Sequence, residues 1–277
     1  MTMWYIFASY ALILGLLIGS FLNVVIARLP KDQSVVSPRS RCPSCMNMIT
    51  AIDNIPIVSW LILRGKCRNC AAPISSLYPT IELLTGILSL LLFWRIIPDF
   101  TYLTPQYGVI FGLYLVFVSM LIAQSFIDIR YFIIPDQLSI YPIPFFIAAI
   151  FAINSYFPLV GITWKESFLG AFFGGGSLLF ITLLWKFIRK KDAMGMGDIK
   201  LLALIGAVLG PWPALPMIIF LSSTSAVLFM VPLKIVQNKS LRFALPFGPF
   251  LAIGSIIWIL HGRELVRLWL PGAEGIF

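Results

Sequence analysis

The chain has 277 residues, of which 60% are hydrophobic and only 11% charged, against about 25% charged in soluble domains. That composition excludes an ordinary soluble globular protein, and a single histidine, His261, argues against a histidine-based triad. The formal charge of +9 fits cationic loops facing anionic membrane lipid, and no nucleic-acid partner is expected.

Trp4–Ala27 is the first predicted span. It is too long for a signal-peptide core and has no basic leader ahead of it, so it reads as a retained helix. Gly15, Gly19, Ser20 and Asn23 give it a small and polar stripe suited to packing against other helices. Residues 29–77 are the one long polar segment and read as a small extramembrane domain. Further spans are expected at about 78–97, 106–127, 138–155, 167–188, 198–210, 213–233 and 247–262. The expected fold is therefore an all-α polytopic membrane protein of about eight transmembrane helices. A small cytoplasmic zinc-binding domain is inserted between the first two. The domains are drawn as residues 1–28, 29–77 and 78–277.

Basic residues set the orientation, because cytoplasmic loops carry the excess of lysine and arginine. Segments 28–77, 128–137, 186–200 and 234–246 together hold 16 of the 20. The opposite side holds Arg95, Lys165, Arg263 and Arg267. The cysteine-bearing domain is thus expected in the cytoplasm and both termini outside. No internal repeat is visible, which weakens a transporter built from repeated halves.

Four cysteines fall in two close pairs, Cys42, Cys45 and Cys67, Cys70, with 21 residues between the pairs. The linker is slightly longer than the usual zinc spacing of about 15–20 residues. Four thiolates can close a tetrahedral structural site and leave no open position for catalysis. A disulfide pair and independent thiols are the alternatives, the former disfavoured by a cytoplasmic location.

Two aspartates are costly at membrane depth. Asp128 ends the third span, and Asp198 begins the sixth behind Gly195 and Gly197. Both fall near the cytoplasmic edge of the membrane in the topology above. On two helices at one depth they can converge on one water, one carboxylate as base and the other as acid, sharing a proton. Helix ends suggest that Asp128, at a C-terminus, holds the proton and that Asp198, at an N-terminus, is the base. Their basic neighbours Arg130 and Lys200 are two residues away, and such side chains point about 200° apart on a helix and do not meet. The residues alone leave three readings open: hydrolysis by an aspartate dyad, an ion or proton relay in a transporter, and structural capping.

Gly195-Met196-Gly197-Asp198 resembles the GxGD motif of membrane aspartyl proteases. Several further stretches resemble the type IV prepilin peptidases. They are Gly19-Ser20-Phe21-Leu22-Asn23-Val24, the two cysteine pairs, Asn54 to Leu61, Arg64-Gly65-Lys66-Cys67 and Tyr78 to Leu84. Ile127-Asp128 with Pro135-Asp136, and Pro246-Phe247-Gly248-Pro249-Phe250, complete the set. The resemblance runs in order along nearly the whole chain. It implies that Asp128 and Asp198 cut a prepilin or pseudopilin after a glycine, between its basic leader and its apolar helix, at a bacterial inner membrane. It also implies N-methylation of the new N-terminus by S-adenosylmethionine. Gly65 and Lys66 are the candidates for binding that cofactor. For the substrate, Gly195 and Gly197 would admit the backbone, and Glu82, Asp136 and Asp53 are acidic candidates for the leader. Glu82 reads equally as a buried structural acid.

Overall fold

The computed structural model describes residues 2–156, 162–190, 195–237 and 246–269. Parts of two predicted basic segments, residues 191–194 and 238–245, lie outside the described residues. The regular elements among the described residues are helices, with isolated antiparallel bridges at Arg41–Met48 and Lys66–Pro73. Among the described residues, six helices are long and apolar enough to cross a membrane. The remaining two predicted spans are helical as well, at Met196–Leu209, with 14 residues, and at Ala214–Gln237, whose apolar part is Ala214–Phe229. The fold is all-α and polytopic, as composition and apolar periodicity led one to expect.

The chain divides into two compact units, Met1–Ala123 and Gln124–Phe277. In the first, α1 (Thr2–Arg28) packs antiparallel to α3 (Leu77–Ile96). The small-residue stripe of α1 explains how closely. A Cβ added at Gly15 would stand 2.5 Å from the Ser89 Cβ, and one at Gly19 2.7 Å from the Glu82 Cα. With no side chains between them the backbones touch, and polar groups tie the ends. Ser89 donates to the Ala11 carbonyl at 2.6 Å, Asn23 to Tyr78 at 3.2 Å and Trp4 to Ile97 at 2.9 Å. Residues 29–76 sit between these helices in the chain and include the short α2 (Val58–Ile62).

The second unit begins in α4 (Pro105–Tyr131) and continues through α5 (Asp136–Ser139), α6 (Pro142–Tyr156), α7 (Trp164–Arg189), α8, α9 and α10. These last three are Met196–Leu209, Ala214–Gln237 and Gly248–Trp269. Thr163 and Glu166 form a reciprocal capping box that starts α7. The helix then lies against α8 at glycine contacts so close that a Cβ on Gly170 would strike the Gly206 carbonyl and one on Gly174 the Leu202 carbonyl. The opposite face of α7 exposes Phe172, Phe180 and Phe187, side chains that suit hydrocarbon. By contrast α8 is enclosed: Leu201, Leu202, Leu204 and Ile205 are fully buried. Its 14 residues reach roughly 21 Å, short of the roughly 30 Å hydrocarbon core. It is a central helix covered by neighbours, and Asp198 stands in its first turn.

Candidate active site and metal centre

Asp128 lies near the end of α4, is 6% exposed, and accepts a 3.0 Å hydrogen bond from the backbone N–H of Gly248. That donor is the first residue of α10, so the positive end of a second helix is aimed at the carboxylate. The glycine is required there, because a Cβ would come 2.8 Å from the Asp128 Oδ2. Asp198 is half-buried in the first turn of α8, directly after Gly197. Ile134 fills the space between their supports. A Cβ on Gly197 would meet it at 3.2 Å, and one on Gly248 at 3.3 Å. Chain segments far apart in sequence thus bring both aspartates into one neighbourhood.

The helix-end argument for dividing their roles is weakened by this geometry. It counted only the helix each residue belongs to. With α10 directed at Asp128, the N-terminal field of α10 opposes the C-terminal field of α4 there, and the difference between the two aspartates shrinks.

Lys200, which has no partner along its own helix, reaches Asp136 at the start of α5, with Nζ and Oδ1 2.6 Å apart. One acidic candidate for a basic leader is therefore already neutralised within the fold. Asp53 is likewise engaged, by the Nε and a terminal nitrogen of Arg68 at 2.6–3.0 Å. That guanidinium holds the Asp53 carboxyl below the usual carboxylate range. Glu82 differs. It is 8% exposed and accepts from the Ile57 N–H at 2.7 Å, and no ion pair to it exists among the described residues. Ile57 has φ +63, uncommon for a β-branched residue, and Glu82 fixes it there. The structural reading of Glu82 thus has a definite content. Of the two motif glycines, Gly197 fits closely against Ile134, while a Cβ on Gly195 would meet nothing within 4 Å.

The four cysteines build two matching turns. The Cys42 N–H donates to Asn47 and the Met46 N–H to Cys42, while Cys67 pairs with Ala72 and Ala71 with Cys67 in the same way. Met46 and Ala71 both take positive φ, 60° and 56°. Each turn presents its two thiols inward, and the sulfur atoms of all four cysteines lie within 4.8 Å of one another. This set could hold a metal ion, and the cysteines are not disulfide-bonded. Backbone N–H groups of Cys45 and Ser44 bring the Cys42 thiol down to about 6, which favours the thiolate a metal needs. Gly65, at φ +66, lies against the Trp60 ring, where a Cβ would come within 3.0 Å. Lys66 begins the second turn, bridged to Pro73, and is exposed.

Residues 13–96 match the Bacterial Peptidase A24 N-terminal domain, and residues 115–231 match the Type IV leader peptidase family. A protein named prepilin leader peptidase/N-methyltransferase from Aeromonas salmonicida (strain A449) is 36% identical over 293 residues, covering 96% of this chain and 94% of that protein. Proteins of the same name from Stutzerimonas stutzeri and Pseudomonas aeruginosa (strain PAO1) are 37% and 36% identical, each over 94% or more of both chains. The chain belongs to the type IV leader peptidase family. No solved structure matches it. The transporter reading finds no support in these matches. Within the family frame, sequence reasoning missed the Lys200–Asp136 pair and the part played by Gly248. The signal for the second was present, a glycine between two proline-phenylalanine pairs just ahead of the last apolar run.

Proposed function

We propose that the protein is a prepilin peptidase that also N-methylates the N-terminus it creates, with Asp128 and Asp198 as the protease pair. The observation supporting this reading is that Gly248, the donor to buried Asp128, and Gly197, the neighbour of Asp198, both lie against Ile134, on a chain of the leader peptidase family. One carboxylate takes a proton from water, which attacks the scissile carbonyl. The other polarises that carbonyl and then protonates the departing amine. The cut falls at the cytoplasmic membrane edge, with both termini in the periplasm, in keeping with the bias of basic residues. Anionic lipid is the partner of the basic loops, and nucleic acid plays no part. Residues 1–28 serve as an anchor, 29–77 as the metal-bearing domain and 78–277 as the protease body.

The cysteine set fits structural zinc, being closed, four-coordinate in sulfur and without an open position. A domain this small needs such a link to hold its fold. The methyl donor is S-adenosylmethionine, supported by the relatives' names.

The test is incubation of the purified protein with a prepilin and the methyl donor. The wild type cleaves and methylates. Asp128→Asn and Asp198→Asn each lose cleavage by about 10²–10⁴-fold or more and still methylate pre-cleaved pilin. Wild-type cleavage by either variant would remove the dyad mechanism.

A further inference from the structure

The first unit encloses a cavity of about 450 Å³ between the cysteine turns and the ends of α1 and α3. That falls in the range of about 300–1,000 Å³ typical of small-molecule sites. Its wall contains two acids, Asp53 and Glu82. Asp53 is matched by Arg68. Glu82 is not: it is more than nine-tenths buried and, among the described residues, has only neutral donors, the Ile57 N–H and Ser20. A buried carboxylate without a counter-ion is expensive, and the deficit is relieved by a cation bound beside it. Arg28 and Arg41 also line the cavity, so a ligand carrying its own carboxylate finds cationic partners too. Trp60 offers an apolar ring to the same space. A positive centre, an amino-acid carboxylate and a flat aromatic part are the three features of a nucleoside sulfonium methyl donor.

We infer that this cavity is the methyl-donor site, with Glu82 as the counter-ion of the sulfonium. The inference rests on the N-methyltransferase reading above and adds its location and its recognition chemistry. In the transfer the methyl carbon leaves sulfur for the amine nitrogen, the bonding pair stays on sulfur, and the nitrogen sheds a proton to water. The donor is therefore cationic and the spent product is a neutral thioether, so Glu82 favours the first over the second. The sequence-based candidates for this role are displaced. Neither Gly65 nor Lys66 lines the cavity. Gly65 acts through the wall instead, by letting the chain lie on Trp60, whose indole N–H donates to Ile74 at 3.1 Å.

The test uses the full-length protein in detergent without any pilin present. Binding of S-adenosylmethionine and of S-adenosylhomocysteine is measured by calorimetry for the wild type and for Glu82→Gln, in which an amide oxygen can still accept from Ile57. The expected result is about a tenfold or larger loss of affinity for the cationic donor and little change for the neutral product. Equal effects on both ligands, or on neither, overturn the assignment. Direct photolabelling of the wild type by the donor gives an answer even if the variant fails to fold. Label on peptides containing Trp60, Tyr78 or Glu82 supports the site, and label confined to other segments overturns it. A wild type that binds no donor at all removes the N-methyltransferase reading itself, whereas binding that ignores Glu82 and labels elsewhere removes only the location.

Discussion

Among the described residues Asp128 accepts from one backbone donor, Gly248, and that donor is a glycine for steric reasons. Gly248→Ala sets a methyl group 2.8 Å from the Asp128 Oδ2, so the carboxylate or the start of α10 must shift. Since misplacement by about 1 Å can cost roughly 10²-fold, cleavage is expected to fall by about that factor, while methylation of pre-cleaved pilin is retained. Steady-state assays of the two reactions on one preparation check it. An alanine variant that cleaves normally would show that the Gly248 contact does not position Asp128. The dyad itself makes a second residue-level prediction. A pair sharing one proton is active only in the singly protonated state, so kcat/KM should fall on both sides of a pH optimum. A rate that is flat across pH would argue against a shared proton. The residues of this site were legible as types, because carboxylates are rare in an apolar chain. Their supports were not. Gly248 and Ile134 carry no charge and no reactive group, and only their positions in space give them a role.

At the level of elements, α8 is held in place by glycine contacts on one side and an ion pair on the other. Gly170→Val drives a branched side chain into the Gly206 backbone. Overpacking of this kind costs about 1–3 kcal/mol or more, so the thermal transition in detergent should drop by several degrees. Gly176→Val, on the same helix but with nothing within 4 Å of its Cβ, should leave the transition unchanged. The Lys200–Asp136 pair ties α8 to α5, two residues from Asp198 and two from Ile134. Lys200→Met is expected to lower kcat for cleavage with a smaller effect on KM, and Lys200→Arg to restore part of the loss. A change in KM alone would mean that the pair serves leader binding instead. The pairing itself could not be read along the sequence, since 64 residues separate the partners and the nearer acid on α8, Asp198, is two residues from Lys200 and points to another face of the helix. The small-residue stripe on α1 was legible, because its spacing alone implied close approach, and the contacts of Gly15 and Gly19 with α3 supply the partner surface.

For the molecule as a whole, the metal set is the point on which the extramembrane region depends. Four thiols within 4.8 Å of one another repel as thiolates unless an ion joins them. Stripping the metal with a chelator should loosen residues 29–76, seen as rapid proteolysis there, and weaken donor binding, because Cys42 and Cys67 also line the cavity. Metal analysis of protein purified without chelator should find one zinc per chain. Resistance to proteolysis and unchanged donor binding after stripping would separate the metal from the cavity. The sequence alone determined the membrane class, the helical fold, the two cysteine pairs and the two unusual aspartates. Each of these is a matter of composition or short-range spacing, and bilayer thickness and metal geometry translate it directly into structure. Tertiary structure alone decided that Lys200 belongs to Asp136, that α10 serves Asp128, and that Glu82 lines a cavity with no counter-ion among the described residues. Those facts depend on which distant segments meet, and charge matching inside a fold is settled only when every neighbour of a group is in place.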